Sequence, residues 1–183
     1  MKKNFLLSGV MYFISTLILY SQFSITNLKC EYLTNPIGID AAHPRFTWQV
    51  ISSQPDFQQA AYQLVLGTDS SAVADGKGET WDSGIIHSSN LPVSCDRTVL
   101  QPFTRYYWSI RLQEQSGKWS AWSLPAFFET GMMDQANWKG KWITDTYDYK
   151  VKPAAYFRKS FTSDKAIQSA RAYIAAAGLY ELS

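Results

Sequence analysis

Residues 100–131 read LQPFTRYYWSIRLQEQSGKWSAWSLPAFFETG, from Leu100 to Gly131. Two apolar runs of strand length are divided there by the turn-type cluster Gln115-Ser116-Gly117-Lys118, the pattern of a β-hairpin. In the first arm Tyr106, Trp108, Ile110 and Leu112 recur at every second position, and Arg105, Tyr107, Ser109 and Arg111 fall between them. Successive strand side chains point to opposite faces. One face of the arm is therefore apolar, and the other carries two guanidinium groups. The alternation extends upstream through Leu100, Pro102 and Thr104. A proline thus leads into a strand whose inward tyrosine lies near its start. We read the hairpin as the last two strands of a two-layer sandwich.

That approach resembles the tyrosine corner of immunoglobulin-like and fibronectin type III sandwiches, where the phenol hydroxyl bonds back to the preceding connection. The second arm opens on Trp119-Ser120-Ala121-Trp122-Ser123. This WSxWS sequence is similar to one in the fibronectin-type domains of cytokine receptors, where tryptophans interleave with arginines of the neighbouring strand. Arg105 and Arg111 project from the matching face. A guanidinium over an exposed indole gains about 0.5–1 kcal/mol. Such a ladder can serve as an aromatic platform for carbohydrate or protein, or it can stiffen one sheet face. The second role needs nothing beyond the residues quoted, and it is preferred. It predicts that Arg111→Ala lowers the melting temperature without touching any binding.

Upstream, strand patterns recur at sandwich spacing. Ile25–Tyr32 is followed by the turn-rich Leu33–Asp40, Arg45–Ile51 alternates around Trp48, and Ala60–Gly67 ends at the polar turn Thr68–Ser71. A second turn, Asp75–Gly78, precedes the short strand Thr80–Ile86, which Gly84 interrupts as a candidate bulge, and Leu91–Cys95 is the last. About seven strands over residues 25–131 result, enough to bury a working core. Trp48 and Trp108 both qualify as the inter-sheet tryptophan of such folds.

The 183 residues are 46% hydrophobic and 17% charged, which fits a folded chain. A net charge of +2, dispersed along the chain, does not suggest nucleic acid or an anionic membrane surface as a partner. The 7 Trp, 11 Tyr and 10 Phe suit a β-sandwich, and would also suit stacking on sugars. Residues 1–24 read as a signal peptide: Lys2 and Lys3 precede the apolar run Phe5–Tyr20, and Ser21 and Ser24 offer cleavage points. The alternative is a membrane-anchoring helix, but the apolar run falls short of the roughly 20 residues a spanning helix needs. The mature protein is expected in the periplasm or outside the cell, with no membrane attachment after cleavage. Export permits a disulfide between Cys30 and Cys95. Both also sit in strand-like runs where buried free thiols are common, and free thiols are preferred.

Reactive groups are sparse. His43 precedes Pro44 in a turn and His87 ends a short strand, and both read as ordinary loop histidines. Two histidines and two scattered cysteines give no metal-ligand spacing. Asp145 and Asp148 are the closest carboxylate pair in an aromatic neighbourhood and suggest acid–base work; solvated loop carboxylates or occasional calcium ligands are the simpler reading. No catalytic, cofactor-binding or metal-binding residue is assigned, and no cofactor is expected.

After the boundary at Gly131–Ala136 the pattern changes. Trp138-Lys139-Gly140-Lys141-Trp142-Ile143 begins a new unit, a polar loop Thr144–Lys152 follows, and Ala155–Phe161 reads as a strand. In the tail from Lys165, the spacing of Ile167, Ala170, Ile174 and Ala177 favours a helix, with Gly178 as a C-cap. These stretches, however, together with Ser169-Ala170-Arg171-Ala172-Tyr173-Ile174 and Gly178-Leu179-Tyr180-Glu181, resemble the N-terminal region of bacterial α-L-rhamnosidases. Asn35–Asp40 (NPIGID) and Pro44–Trp48 (PRFTW) resemble the fibronectin-like domain that opens many of those enzymes. The resemblance covers nearly all of residues 25–183 and turns the reading of the tail from helix to strand. It implies an all-β chain. Residues 25–131 would form the immunoglobulin/fibronectin type III-like sandwich, and residues 132–183 the truncated start of a second, jelly-roll-like β-sandwich module.

The resemblance further implies an exported glycoside hydrolase that removes terminal α-L-rhamnose with inversion, using two carboxyl groups. In the family these lie on an (α/α)6 barrel much further along the polypeptide. The chain is accordingly expected to be inactive alone. Its main partner would be the remainder of its own polypeptide, with rhamnose-containing glycans as a further candidate. A stand-alone carbohydrate- or protein-binding module and a receptor-like ectodomain are the alternatives from other classes.

Overall fold

The computed structural model describes residues 23–53, 55–96, 98–146, 150, 154–167 and 170–182. One compact unit ends at Lys139 and another begins at Gly140. Among its described residues the first contains seven strands: β1 (Phe23–Cys30), β2 (Arg45–Ser52), β3 (Gln59–Gly67), β4 (Trp81–Asp82), β5 (Val93–Ser94), β6 (Arg105–Glu114) and β7 (Ala126–Glu129). A five-residue helix, α1 (Ser70–Ala74), follows β3, and a 3-10 turn spans Gln135–Asn137. A three-stranded sheet of order β1-β2-β5 faces a four-stranded sheet of order β4-β3-β6-β7, all ladders antiparallel.

The core is where the alternation places it. Tyr106, Trp108, Ile110 and Leu112 of β6 are buried with Phe46 and Trp48 of β2, Tyr62, Leu64 and Leu66 of β3, and Phe128 of β7. Phe46 meets Trp108 at 4.7 Å between ring centroids, and Trp48 meets Tyr62 at 5.6 Å. Each pair joins one sheet to the other, so both candidate tryptophans are inter-sheet residues. Aromatic pairs of this kind are worth about 0.5–1.5 kcal/mol beyond their area.

Local irregularities have identifiable causes. Glu31 and Tyr32, both at positive φ, close a tight turn in which Cys30 and Leu33 exchange backbone hydrogen bonds. The expected strand Thr80–Ile86 is shorter than the pattern suggests. Regular pairing covers Trp81–Asp82, Ser83 still bonds Leu64, and Ile86 rejoins at Tyr62. Three residues of advance thus oppose two on β3, a bulge with Gly84 at φ +62° inside it. The polar run Thr68–Ser71, expected as a turn, opens α1: Asp69 accepts from the Ser71 and Ala72 N–H groups as its N-cap, and Val73 is buried.

Two further expectations differ from the structure. Phe23 and Ser24, assigned by pattern to the signal peptide, are the first residues of β1 and pair with Ser52 and Ile51. Beyond Gly140 no helix or strand occurs among the described residues, so Ala155–Phe161 is not a strand here, and the described part of the tail is neither helix nor strand. A strand requires a ladder partner, and none of the described residues pairs with these.

Candidate functional site

The outer face of the four-stranded sheet carries the ladder expected from WSxWS. Arg111 of β6 places its guanidinium 4.7 Å from the ring of Trp119 and 5.0 Å from that of Trp122. Its Nε and Nη2 donate to Gln63 Oε1 of β3 at 3.0 and 2.6 Å, and Gln63 Nε2 donates to Asp82 of β4 at 2.9 Å. One cation thereby ties three strands to the segment after β6. That segment is not a regular strand. Ser120 and Ser123 donate their N–H groups to Leu112 and Ile110 carbonyls, and their hydroxyls accept the N–H groups of Leu112 and Ile110. The serines satisfy the edge of β6 through side chains where a second strand would do so through backbone.

Trp122 is half-buried. Besides Arg111 it meets Gly76, where an added Cβ would lie 2.3 Å from two indole atoms. The arrangement therefore favours the stiffening role over the aromatic platform. Arg105 repeats the theme: its guanidinium lies 4.5 Å over Phe127, and its Nε donates to Glu129 at 2.7 Å. The hydrogen bond to Glu129, then one to Tyr107, raises the Arg105 pKa above its ordinary value.

The tyrosine corner is present, with Tyr106 Oη accepting from the Gln101 N–H at 2.8 Å. Where the chain leaves the sandwich, the NPIGID turn lies alongside it. Ile39 N–H donates to the Glu129 carbonyl and Gly131 N–H to the Ile39 carbonyl, while Asp40 Oδ1 accepts the Met133 N–H at 2.8 Å. Asn35 Oδ1 accepts the Phe127 N–H at 3.0 Å. An added Cβ on Gly131 would lie 2.5 Å from Asp40 Oδ1, so a side chain there would displace the carboxylate that holds Met133.

The chemistry-bearing residues do not converge. His43 Nδ1 lies 3.2 Å from the Cys95 carbonyl, and His87 is exposed elsewhere. Asp145 is in the second unit, and Asp148 lies outside the described residues. Among the described residues no group of three potential metal ligands occurs. Cys30 and Cys95 are buried free thiols on opposite sides of β2: Cys30 is opposite Phe46, and Cys95 N–H donates to Pro44. Strands with one strand between them lie roughly 9–10 Å apart, beyond the Cα separation of about 7 Å that a disulfide tolerates. Burial pushes the Cys30 thiol up, with Glu31 and Cys95 adding to it, so it stays protonated. A depression of about 350 Å³ between β1 and residues 120–124 is lined by Phe23, Ser24, Ile25, Ser120, Ala121, Trp122, Ser123 and Leu124. No ionisable side chain lines it, so it has no means of acid–base chemistry.

The model of the Rha78A-like, N-terminal immunoglobulin domain matches residues 25–134. An α-L-rhamnosidase of Streptomyces avermitilis is 38% identical over 125 residues, which are 68% of this chain and 12% of the relative. One from Alteromonas sp. (strain LOR) is 30% identical over 169 residues, 86% of this chain and 18% of the relative. The solved α-L-rhamnosidase of Dictyoglumus thermophilum superposes with a TM-score of 0.64 at 35% identity, over 67% of this chain and 14% of that one. The Streptomyces avermitilis enzyme complexed with L-rhamnose gives 0.63 at 36%, over 67% and 12%. The chain thus spans less than a fifth of these relatives. With the two-sheet fold and the motifs at Asn35–Asp40 and Pro44–Trp48, these matches agree on one assignment: the chain belongs to the Rha78A-like family and carries its N-terminal immunoglobulin domain.

Proposed function

We propose that this chain is the non-catalytic N-terminal part of an exported α-L-rhamnosidase, whose acid and base lie in residues outside this stretch. The observation that carries the reading is the 38% identity to a rhamnosidase of which the chain spans only 12%. The sandwich's role is structural: a rigid module that holds the start of the polypeptide beside the catalytic part. The Arg111 guanidinium, stacked on Trp119 and Trp122 and hydrogen-bonded to Gln63, supports that role by tying the outer face of the sheet together. The three-on-four strand order supports the finer, fibronectin type III-like subdivision. Export is supported by Lys2, Lys3 and the apolar run Phe5–Tyr20. The test is hydrolysis of a chromogenic α-L-rhamnoside. Residues 23–183 alone should release no rhamnose, and the longer polypeptide containing them should release it. Turnover by the short chain would overturn the reading.

A further inference from the structure

Ser21 and Ser24 are the two small residues at which the leader could end, and the sandwich discriminates between them. Phe23 is 5% exposed, belongs to the core cluster, and meets the ring of Phe57 at 4.5 Å. Its backbone is paired with Ser52, and that of Ser24 with Ile51. Cutting after Ser24 would remove both residues. The end of β1 would lose two paired positions, and the core would lose a phenylalanine ring. Cutting after Ser21 leaves every described residue of β1 in place.

We propose that the leader is cleaved between Ser21 and Gln22, so that the mature chain keeps Phe23 as a core residue. This rests on the export reading above, which supplies the peptidase. Hydrolysis of the Ser21–Gln22 peptide bond by water leaves the leader with a new carboxylate and the mature chain with a new amine at Gln22. The selective pressure is physical: removing a buried aromatic side chain is among the costlier truncations a small core can suffer. It would also widen the depression that Phe23 and Ser24 line.

The full precursor, with its own leader, should be produced in an exporting bacterial host and the exported form read by intact mass and N-terminal sequencing. The expected first residue is Gln22. A processed chain that begins at Ile25, or at any other residue, overturns the proposal while leaving the export reading intact. A chain that keeps Met1 overturns both. Independently, chains starting at Gln22 and at Ile25 should be compared by thermal melting, the shorter one melting at least about 10 °C lower. In the Gln22 chain Phe23→Leu should fall between the two. Equal melting of the Gln22 and Ile25 chains would show that Phe23 does not constrain the cut.

Discussion

Replacing Arg111 by alanine tests whether the outer ladder is a structural device. The guanidinium stacks between Trp119 and Trp122 and forks onto Gln63 Oε1. Each cation–π contact is worth about 0.5–1 kcal/mol at a half-exposed site. The charge-assisted bonds to Gln63 add about 1.5 kcal/mol before solvent replaces them. Water reaches the vacated Gln63 oxygen, so the expected net loss is about 2 kcal/mol. For a domain of this size that corresponds to a melting temperature lower by about 10 °C, or a urea midpoint lower by about 1 M. Arg111→Met keeps most of the aliphatic stem and removes the charge, so it separates packing from the cation. It should recover less than half the loss. Rhamnosidase activity of the longer polypeptide, assayed well below the melting temperature, should be unchanged. A shift under about 2 °C for Arg111→Ala, full recovery by Arg111→Met, or lost activity at unchanged stability would refute the reasoning.

Gly76→Ala should cost about 2 kcal/mol or more in urea denaturation, because a Cβ there meets the Trp122 indole and the residue sits at φ +76°. Tyr106→Phe should cost about 1–2 kcal/mol by the same measurement, since it leaves the Gln101 N–H without its acceptor. Glu31→Gln should flatten the acid limb of the stability profile. The Arg45 side-chain hydrogen bond holds the Glu31 carboxyl below its usual 4.5, so the folded state binds that proton more weakly than the unfolded one. The contribution is present above pH 4.5 and is lost as pH falls through the folded value, which urea midpoints measured between about pH 6 and 3 will show.

Much of the sandwich was legible because the inward face of β6 is an unbroken alternation and the residues before it spell a tyrosine corner. The Arg111 ladder was legible for a related reason: WSxWS and the outward arginines lie in one hairpin, so local order brings them together. The third partner was not. Gln63 belongs to a strand 48 residues away, and only the β3–β6 register places it opposite Arg111. Nor does any local signal reveal that Asp40 receives the Met133 N–H from 93 residues on. The second arm was misjudged in detail because Ser120 and Ser123 do with hydroxyls what a strand does with backbone, leaving regular pairing only at Ala126–Glu129. Helix α1 was hidden by its length. Five residues show no helical period, and Asp69 reads equally well as a turn residue or an N-cap.

The region after Gly140 shows what alternation does not contain. Period-two patterning states which side chains share a face; it says nothing of which chain supplies the neighbouring ladder. In Ala155–Phe161 the aromatic side chains that would share such a face stand in solvent, Phe157 at 55% and Phe161 at 82% exposure. Leu179, at 105%, does the same in the tail. Each of these exposed apolar side chains keeps the hydration cost that burial would remove. Within the sandwich the alternation in β6 becomes a strand because β3 and β7 flank it and β2 covers its inner face. Strand structure between residues 155 and 182 therefore depends on partner strands from other residues, and a longer rhamnosidase polypeptide is where the proposed function places them.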